Sequence, residues 1–296
     1  MIHISCKPGT PPASLTNKTA KNQIDKAFNT QDGEKCTNYT KVYDKLKAIS
    51  LHKKKANAKE SGKCFYCESK IEHGSKLQIE HYRPKAGVSK KDTGGVENEG
   101  YFWLANEWTN LLLACDACNG NGAKGTRFPI AGTRAIPYNP VKNNKLYRKN
   151  CIASNATLLA EIPILLNPEM DNPENHLTFD FDGQIKELPD LYNRGKITIE
   201  ILELDRGTLF GARQRVLNDF KNELDMIYET DREFGINKPI LDKFLKARCR
   251  KIKKRMEPQE EFSLWGKFIN VNFVDCFANQ YSEPFRSKLI EAYKDA

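Results

Sequence analysis

Four cysteines constrain this chain more than anything else in it. They stand as two pairs, Cys64-Phe-Tyr-Cys67 and Cys115-Asp-Ala-Cys118. A C-x2-C turn presents two thiolates to one ion, and two such knuckles complete the tetrahedral four-sulfur site of structural zinc. The fold must then bring residues 64 and 118 within a few ångströms. The 47 residues between Cys67 and Cys115 exceed the spacing of a simple zinc ribbon, so a further element is inserted between the knuckles. The competing readings are two unrelated pairs of buried thiols, or a redox motif. The redox motif is disfavoured because neither pair sits in a βαβ pattern. Cys6, Cys36, Cys151, Cys249 and Cys276 are isolated, and each reads as a small buried hydrophobe.

Composition narrows the setting. The chain has 296 residues, enough for one large domain or two modest ones, and a net charge of +9. Its uninterrupted apolar runs are as short as Leu111 to Cys115, far below the roughly 20 residues of a membrane-spanning helix. Met1 to Thr10 lacks the layout of a secretion signal. With nine cysteines, an odd number, these features favour a cytoplasmic protein without a disulfide framework. The positive excess favours anionic partners, nucleic acid first and an acidic protein or membrane surface second.

Four stretches follow from the pattern. Residues 1–62 read as an N-terminal helical segment, with helices over about Asn17 to Phe28 and residues 38–60, Lys53 to Lys55 lying near the end of the latter. Residues 63–130 hold the paired cysteines. Their polar Ala86 to Gly100 stretch reads as a surface loop, and Leu77 to Glu80 as a short strand. Residues 131–206 mix strand and loop: Leu177 to Leu188 alternates around Asp182-Gly183, a hairpin signal, while Ile197 to Leu204 fits a strand or a helix start. Residues 207–296 read as helical. Helices are expected over Thr208 to Glu229, Pro239 to Met256 (Ile240, Phe244, Ile252 and Met256 inward), about Glu260 to Phe277, and near Pro284 to Tyr293.

Between the knuckles runs Ile79-Glu80-His81-Tyr82-Arg83-Pro84-Lys85. Asn110 precedes the second knuckle, Asn119 follows it, and Lys124 and Arg127 come next. A lone His beside Glu is more often structural, and Asn119 alone fits a helix cap. One zinc on four cysteines would make these separated residues spatial neighbours.

This order resembles the HNH endonucleases. The resemblance implies an α+β fold: a zinc-braced ββα-metal module embedded between N-terminal helices and a mainly helical C-terminal region. A narrower resemblance is carried by IEHYRPK (79–85), YFWLANEWTNLLLAC (101–115), Arg127-Phe128-Pro129 and LLNPEMDNPENHL (165–177). It is to the PtuB nuclease subunits of Septu-type and retron-associated anti-phage systems. It implies an ABC/SMC-like ATPase partner of the PtuA type, with the C-terminal helices as one surface for docking it.

The resemblance also implies roles. His81 matches the general base. Glu80 and Asn119 match the positions that hold a catalytic Mg²⁺ or Mn²⁺ ion, and Asn110 the residue that fixes the loop and orients His81. Glu80 stands where many family members have Asp, and Asn119 where many have His. Charge and position make Arg83, Lys85, Lys124 and Arg127 the candidates for phosphate contact. His73 is a rival base, disfavoured by its place beside Gly74 in a turn. A stand-alone restriction-type nuclease and a non-catalytic zinc-braced nucleic-acid adaptor are the alternatives.

Three further features have two readings each. Lys243 to Arg255 fits a nucleic-acid-facing helix or a solvated helix face. Asp180 and Asp182 fit a second metal site, but better a polar turn. Tyr101, Phe102, Trp103 and Trp108 fit base-stacking platforms, but better the small core packing the zinc module.

Overall fold

The computed structural model describes residues 1–4, 10–50, 62–71, 76–120 and 122–296. Two short helices, α1 (Ala13–Thr16) and α2 (Lys18–Thr30), open the chain. Asn17 caps α2 by accepting the Ala20 N–H at 2.9 Å, which satisfies one orphan donor of its first turn. The helix expected over residues 38–60 begins as a 3₁₀ turn and becomes α3 (Tyr43–Ser50); Lys53 to Lys55 lie outside the described residues.

The inserted element is a hairpin. Strand β1 (Leu77–His81) pairs antiparallel with β2 (Leu111–Cys115), with Leu77 opposite Cys115 and His81 opposite Leu111. The four-residue helix α4 (Asp116–Asn119) follows directly. The order is therefore two strands and a helix, though the helix lasts only one turn. Strand β2 is buried along its whole length, as its unbroken Leu-Leu-Leu-Ala-Cys run requires.

Two smaller hairpins come next, β3 (Tyr138–Asn139) with β4 (Lys145–Leu146), and β5 (Leu177–Phe179) with β6 (Ile185–Glu187). Between them lies the short helix α5 (Ala156–Leu159). The β5–β6 turn is built by Asp180, whose Oδ1 accepts the N–H groups of Asp182 and Gln184 at 3.1 and 2.9 Å. Gly183 sits there at φ +93°, a conformation other residues rarely adopt. Asp180 thus acts as a turn former.

The C-terminal half is helical: α6 (Arg194–Leu202), α7 (Gly207–Phe234), α8 (Lys238–Lys254), α9 (Ser263–Val271) and α10 (Phe285–Asp295). The segment that fits strand or helix start is thus helix, α6. The helix expected from about 260 to 277 is shorter, and a single π turn (Val274–Ala278) follows it. The inward face of α8 also differs from expectation. It carries Leu241, Leu245, Cys249 and Ile252, whereas Ile240 and Phe244 are 49% and 48% exposed. Ile252 is buried as expected; over the first turns the stripe is shifted by one residue, about 100° of helix rotation, and Cys249 completes it as a small hydrophobe.

The buried side chains form one connected core running from Met1 to Ala292, so all four stretches share it. Tyr101, Phe102, Trp103 and Trp108 are all part of it. Cys36, Cys249 and Cys276 are buried and Cys151 half-buried; Cys6 lies outside the described residues. No helix among the described residues is long and apolar enough to cross a membrane.

Candidate metal centre and the hairpin site beside it

The hairpin brings the two knuckles together. The Sγ atoms of Cys64, Cys67, Cys115 and Cys118 all lie within 4.8 Å of one another, and all four residues are buried. Zinc–sulfur bonds near 2.3 Å in a tetrahedron imply sulfur separations of about 3.8 Å. The Cys67 and Cys115 sulfurs are 3.7 Å apart. The donor set therefore fits zinc. Thiols alone cannot all ionise there. Burial pushes Cys64 well up and the neighbouring thiols push Cys118 well up, while hydrogen bonds from the other three lower Cys67. A divalent cation removes that conflict. Arg206 places Nη1 and Nη2 each 3.7 Å from Cys118 Sγ, a positive charge beside a thiolate-rich centre.

Glu68, directly after Cys67, anchors the knuckle to the C-terminal half. Its carboxylate accepts from Lys63 Nζ (3.1 Å), the Met1 ammonium (3.0 Å) and the N–H groups of Ser263 (3.1 Å) and Leu264 (3.2 Å) at the start of α9. Burial alone would raise its pKa. The two ammonium groups and Ser263 outweigh burial and hold it well below the carboxylate range.

His81 ends β1. Its Nε2 lies 2.9 Å from the Ala105 carbonyl, so Nε2 carries the proton and Nδ1 keeps its lone pair. The Tyr39 ring meets the imidazole edge-on, at 4.7 Å between centroids. Burial pushes the His81 pKa down to about 3, against the Ala105 hydrogen bond, with Lys85 and Lys124 adding to the drop. The ring is neutral at neutral pH.

Asn110 is fully buried and staples the chain just beyond His81. Its Oδ1 accepts the Arg83 N–H at 2.8 Å, its Nδ2 donates to the Arg83 carbonyl at 3.0 Å, and its own carbonyl accepts the Tyr82 N–H at 2.9 Å. Asn119 lies on the open side of the hairpin, where its Nδ2 donates to Gln78 Oε1 at 2.9 Å. Glu80 shares that strand face with Gln78, but it is buried and paired with Lys124. Burial raises its pKa despite Lys124. Among the described residues, the four cysteines form the one metal-capable group of three or more His, Cys, Asp or Glu side chains. Glu80 and Asn119 thus offer two oxygen donors, one already neutralised.

The four basic candidates for phosphate contact are all paired within the protein, and two of them are buried. Arg83 is 1% exposed; its Nε meets Glu161 at 2.8 Å and its Nη2 the Leu158 carbonyl at 2.9 Å. Lys124 is fully buried between Glu80 and the His81 carbonyl. Lys85 pairs with Glu34, and Arg127 with Asp92 at 2.9 Å. Neither Arg83 nor Lys124 reaches solvent. The basic run on α8 is also less open than its sequence suggests. Lys246 pairs with Asp242 and Asp295, and Arg248 and Lys251 with Glu223. His73 lies outside the described residues.

Several important partners carry no sequence signal. The Ala105 carbonyl is backbone, and Arg206 and Tyr39 are remote from the motif. Glu68 alone had a cue, its place next to Cys67.

The chain is similar to Septu proteins. It is 32% identical to the Septu protein PtuB of Bacillus mycoides (strain KBAB4) over 215 residues, 70% of this chain and 65% of that one. A Bacillus thuringiensis Septu protein PtuB is 27% identical over 208 residues, covering 70% of this chain and 55% of the relative. The chain thus spans less than two thirds of either PtuB relative. The Septu protein PtuA of Bacillus mycoides is 33% identical over 162 residues, 55% of this chain but 20% of that protein. A protein bearing the PtuA name therefore contains a segment like this chain within a much longer whole. No family model matches the chain.

Proposed function

We propose that this chain is a metal-dependent endonuclease of a Septu-type anti-phage system, with DNA as the favoured substrate. The observation that carries the reading is His81. It is fixed in one tautomer by the Ala105 carbonyl and held at the end of a hairpin braced by the cysteine centre. A general base needs that combination: a free nitrogen lone pair and a locked orientation.

In this reading His81 Nδ1 accepts the proton of the attacking water. Asn110 holds the Tyr82–Arg83 backbone, which fixes where the His81 ring sits. Tyr39 and the Ala105 carbonyl keep the ring from rotating. Glu80 and Asn119 would hold the catalytic ion, a hard cation of the Mg²⁺ type that takes one or two protein oxygens and leaves the rest to substrate and water. Such an ion, when bound, would supply neutralisation of the phosphate charge and of the leaving oxygen. Lys124 keeps the buried Glu80 carboxylate compensated meanwhile. The four cysteines bear no part in the chemistry; they clamp the hairpin.

The similarity to both PtuB and PtuA supports a partner within a Septu system, and we place a PtuA-like ATPase in that role. The test is direct. Purified protein is titrated with Mg²⁺ or Mn²⁺ against plasmid, single-stranded DNA and RNA, beside His81→Ala. The variant is expected to lose cleavage while keeping its zinc and its circular-dichroism spectrum. Full cleavage by His81→Ala would remove the assignment.

A further inference from the structure

The geometry points to a pocket for an unpaired nucleobase on the turn that leads to the Ala105 carbonyl, the partner of His81, which makes the substrate a single-stranded or locally opened nucleic acid. The inference rests on the nuclease reading above and deepens it.

A cleft of about 490 Å³ lies between the end of α2, the segment before the hairpin's second strand, and the β3–β4 hairpin. That volume lies in the range of small-ligand pockets. Its floor is Phe102 and Trp103, and half-buried Phe28 and Tyr138 stand at its sides. Around it stand four amide side chains, Asn29, Gln31, Asn98 and Asn144. Asn98 uses its Oδ1 on the Gly100 N–H at 2.8 Å, which leaves its Nδ2 free. The other three amides make no hydrogen bond to the described residues. Aromatic side chains offer faces for stacking, and an amide offers a donor and an acceptor together, the pairing that base edges require. Arg134 and Glu99 line the same cleft with opposite charges, so it does not select an anion. A base, and not a phosphate, is the matching ligand.

The cleft is tied to the chemistry through one turn. Phe102 and Trp103, its floor, belong to the turn Phe102–Leu104, and the residue after that turn is Ala105, whose carbonyl holds His81. A base seated there would lie against the turn that leads into the carbonyl positioning the general base. A base within a duplex is stacked and paired, so it reaches such a cleft only once unpaired.

The test uses His81→Ala protein, so that binding is read without cleavage. Affinity is measured by fluorescence anisotropy for a short labelled single strand, the same strand with abasic positions, and the matching duplex. The single strand is expected to bind about tenfold tighter than either of the others. Adding Phe28→Ala, or Asn144→Gly, which keeps the left-handed turn conformation, should cost about tenfold for the single strand and leave the duplex unchanged. Equal affinity for single strand and duplex overturns the pocket. So does an abasic strand or an Asn144→Gly variant that binds as well as its parent; the nuclease reading then stands if the unsubstituted protein still cleaves. If nothing binds and the unsubstituted protein cleaves nothing, both fall.

Discussion

At the scale of single residues, charge and burial decide roles that sequence position leaves open. Arg83 follows the hairpin motif like a phosphate contact, yet it is buried against Glu161. Removing one partner of such a pair leaves the other charge uncompensated. Arg83→Met should therefore cost about 3–5 kcal/mol in urea unfolding. A stability loss near zero, with nucleic-acid affinity reduced instead, would return Arg83 to the phosphate-binding role. Asp190 gives a pH-dependent case. Its carboxylate accepts from the N–H groups of Gly195 (2.9 Å) and Arg194 (2.6 Å) and from His176 Nδ1 (2.6 Å). Burial opposes its ionisation, but those bonds outweigh it and hold the pKa below the usual 3.8. The ionised form is thus favoured by folding, and the stability it contributes is present at neutral pH and lost in acid. Asp190→Asn should cost about 1–2 kcal/mol at pH 7, the range of a lost helix cap. The gap to the parent should close as pH falls below 3.8, as read in denaturation curves at several pH values.

At the scale of elements, the knuckles hold the hairpin and Glu68 holds the knuckles. Cys64→Ser or Cys118→Ser should abolish zinc binding and unfold the 63–130 stretch, because metal-binding energy in such sites is folding energy. Elemental analysis of the parent should give one zinc per chain; its absence removes the brace. Glu68→Gln keeps the shape but strips the charge that faces Lys63 and the Met1 ammonium. It should cost about 3–5 kcal/mol, with the loss read as a lower melting temperature. A neutral result would mean that water reaches those ammonium groups.

At the scale of the whole molecule, the four-cysteine centre and the C-terminal helices are one system. Arg206, at the N-terminal end of α7, reaches Cys118, and Arg213 on the same helix donates to the Gly183 and Leu204 carbonyls. The core is continuous across all four stretches. Arg206→Ala should lower zinc affinity by about 10–100-fold, as loss of a partner beyond the metal's own ligands does. Competition with a chelator would show it. An unchanged affinity would confine Arg206 to packing.

The sequence by itself determined what was local or periodic. Cysteine spacing placed a four-sulfur centre, alternation around Asp182-Gly183 placed a hairpin, and apolar recurrence placed the long helices, because each depends on residues a few positions apart. The tertiary structure alone decided which charges face water. It buried Arg83 and Lys124 against Glu161 and Glu80, and turned Leu241 and Leu245, not Ile240 and Phe244, inward on α8. It also set the Ala105 carbonyl on His81 and joined α2, the 98–104 segment and the β3–β4 hairpin around one cleft. Those outcomes depend on which distant groups meet, and a backbone carbonyl or a cleft wall leaves no pattern in the order of the residues.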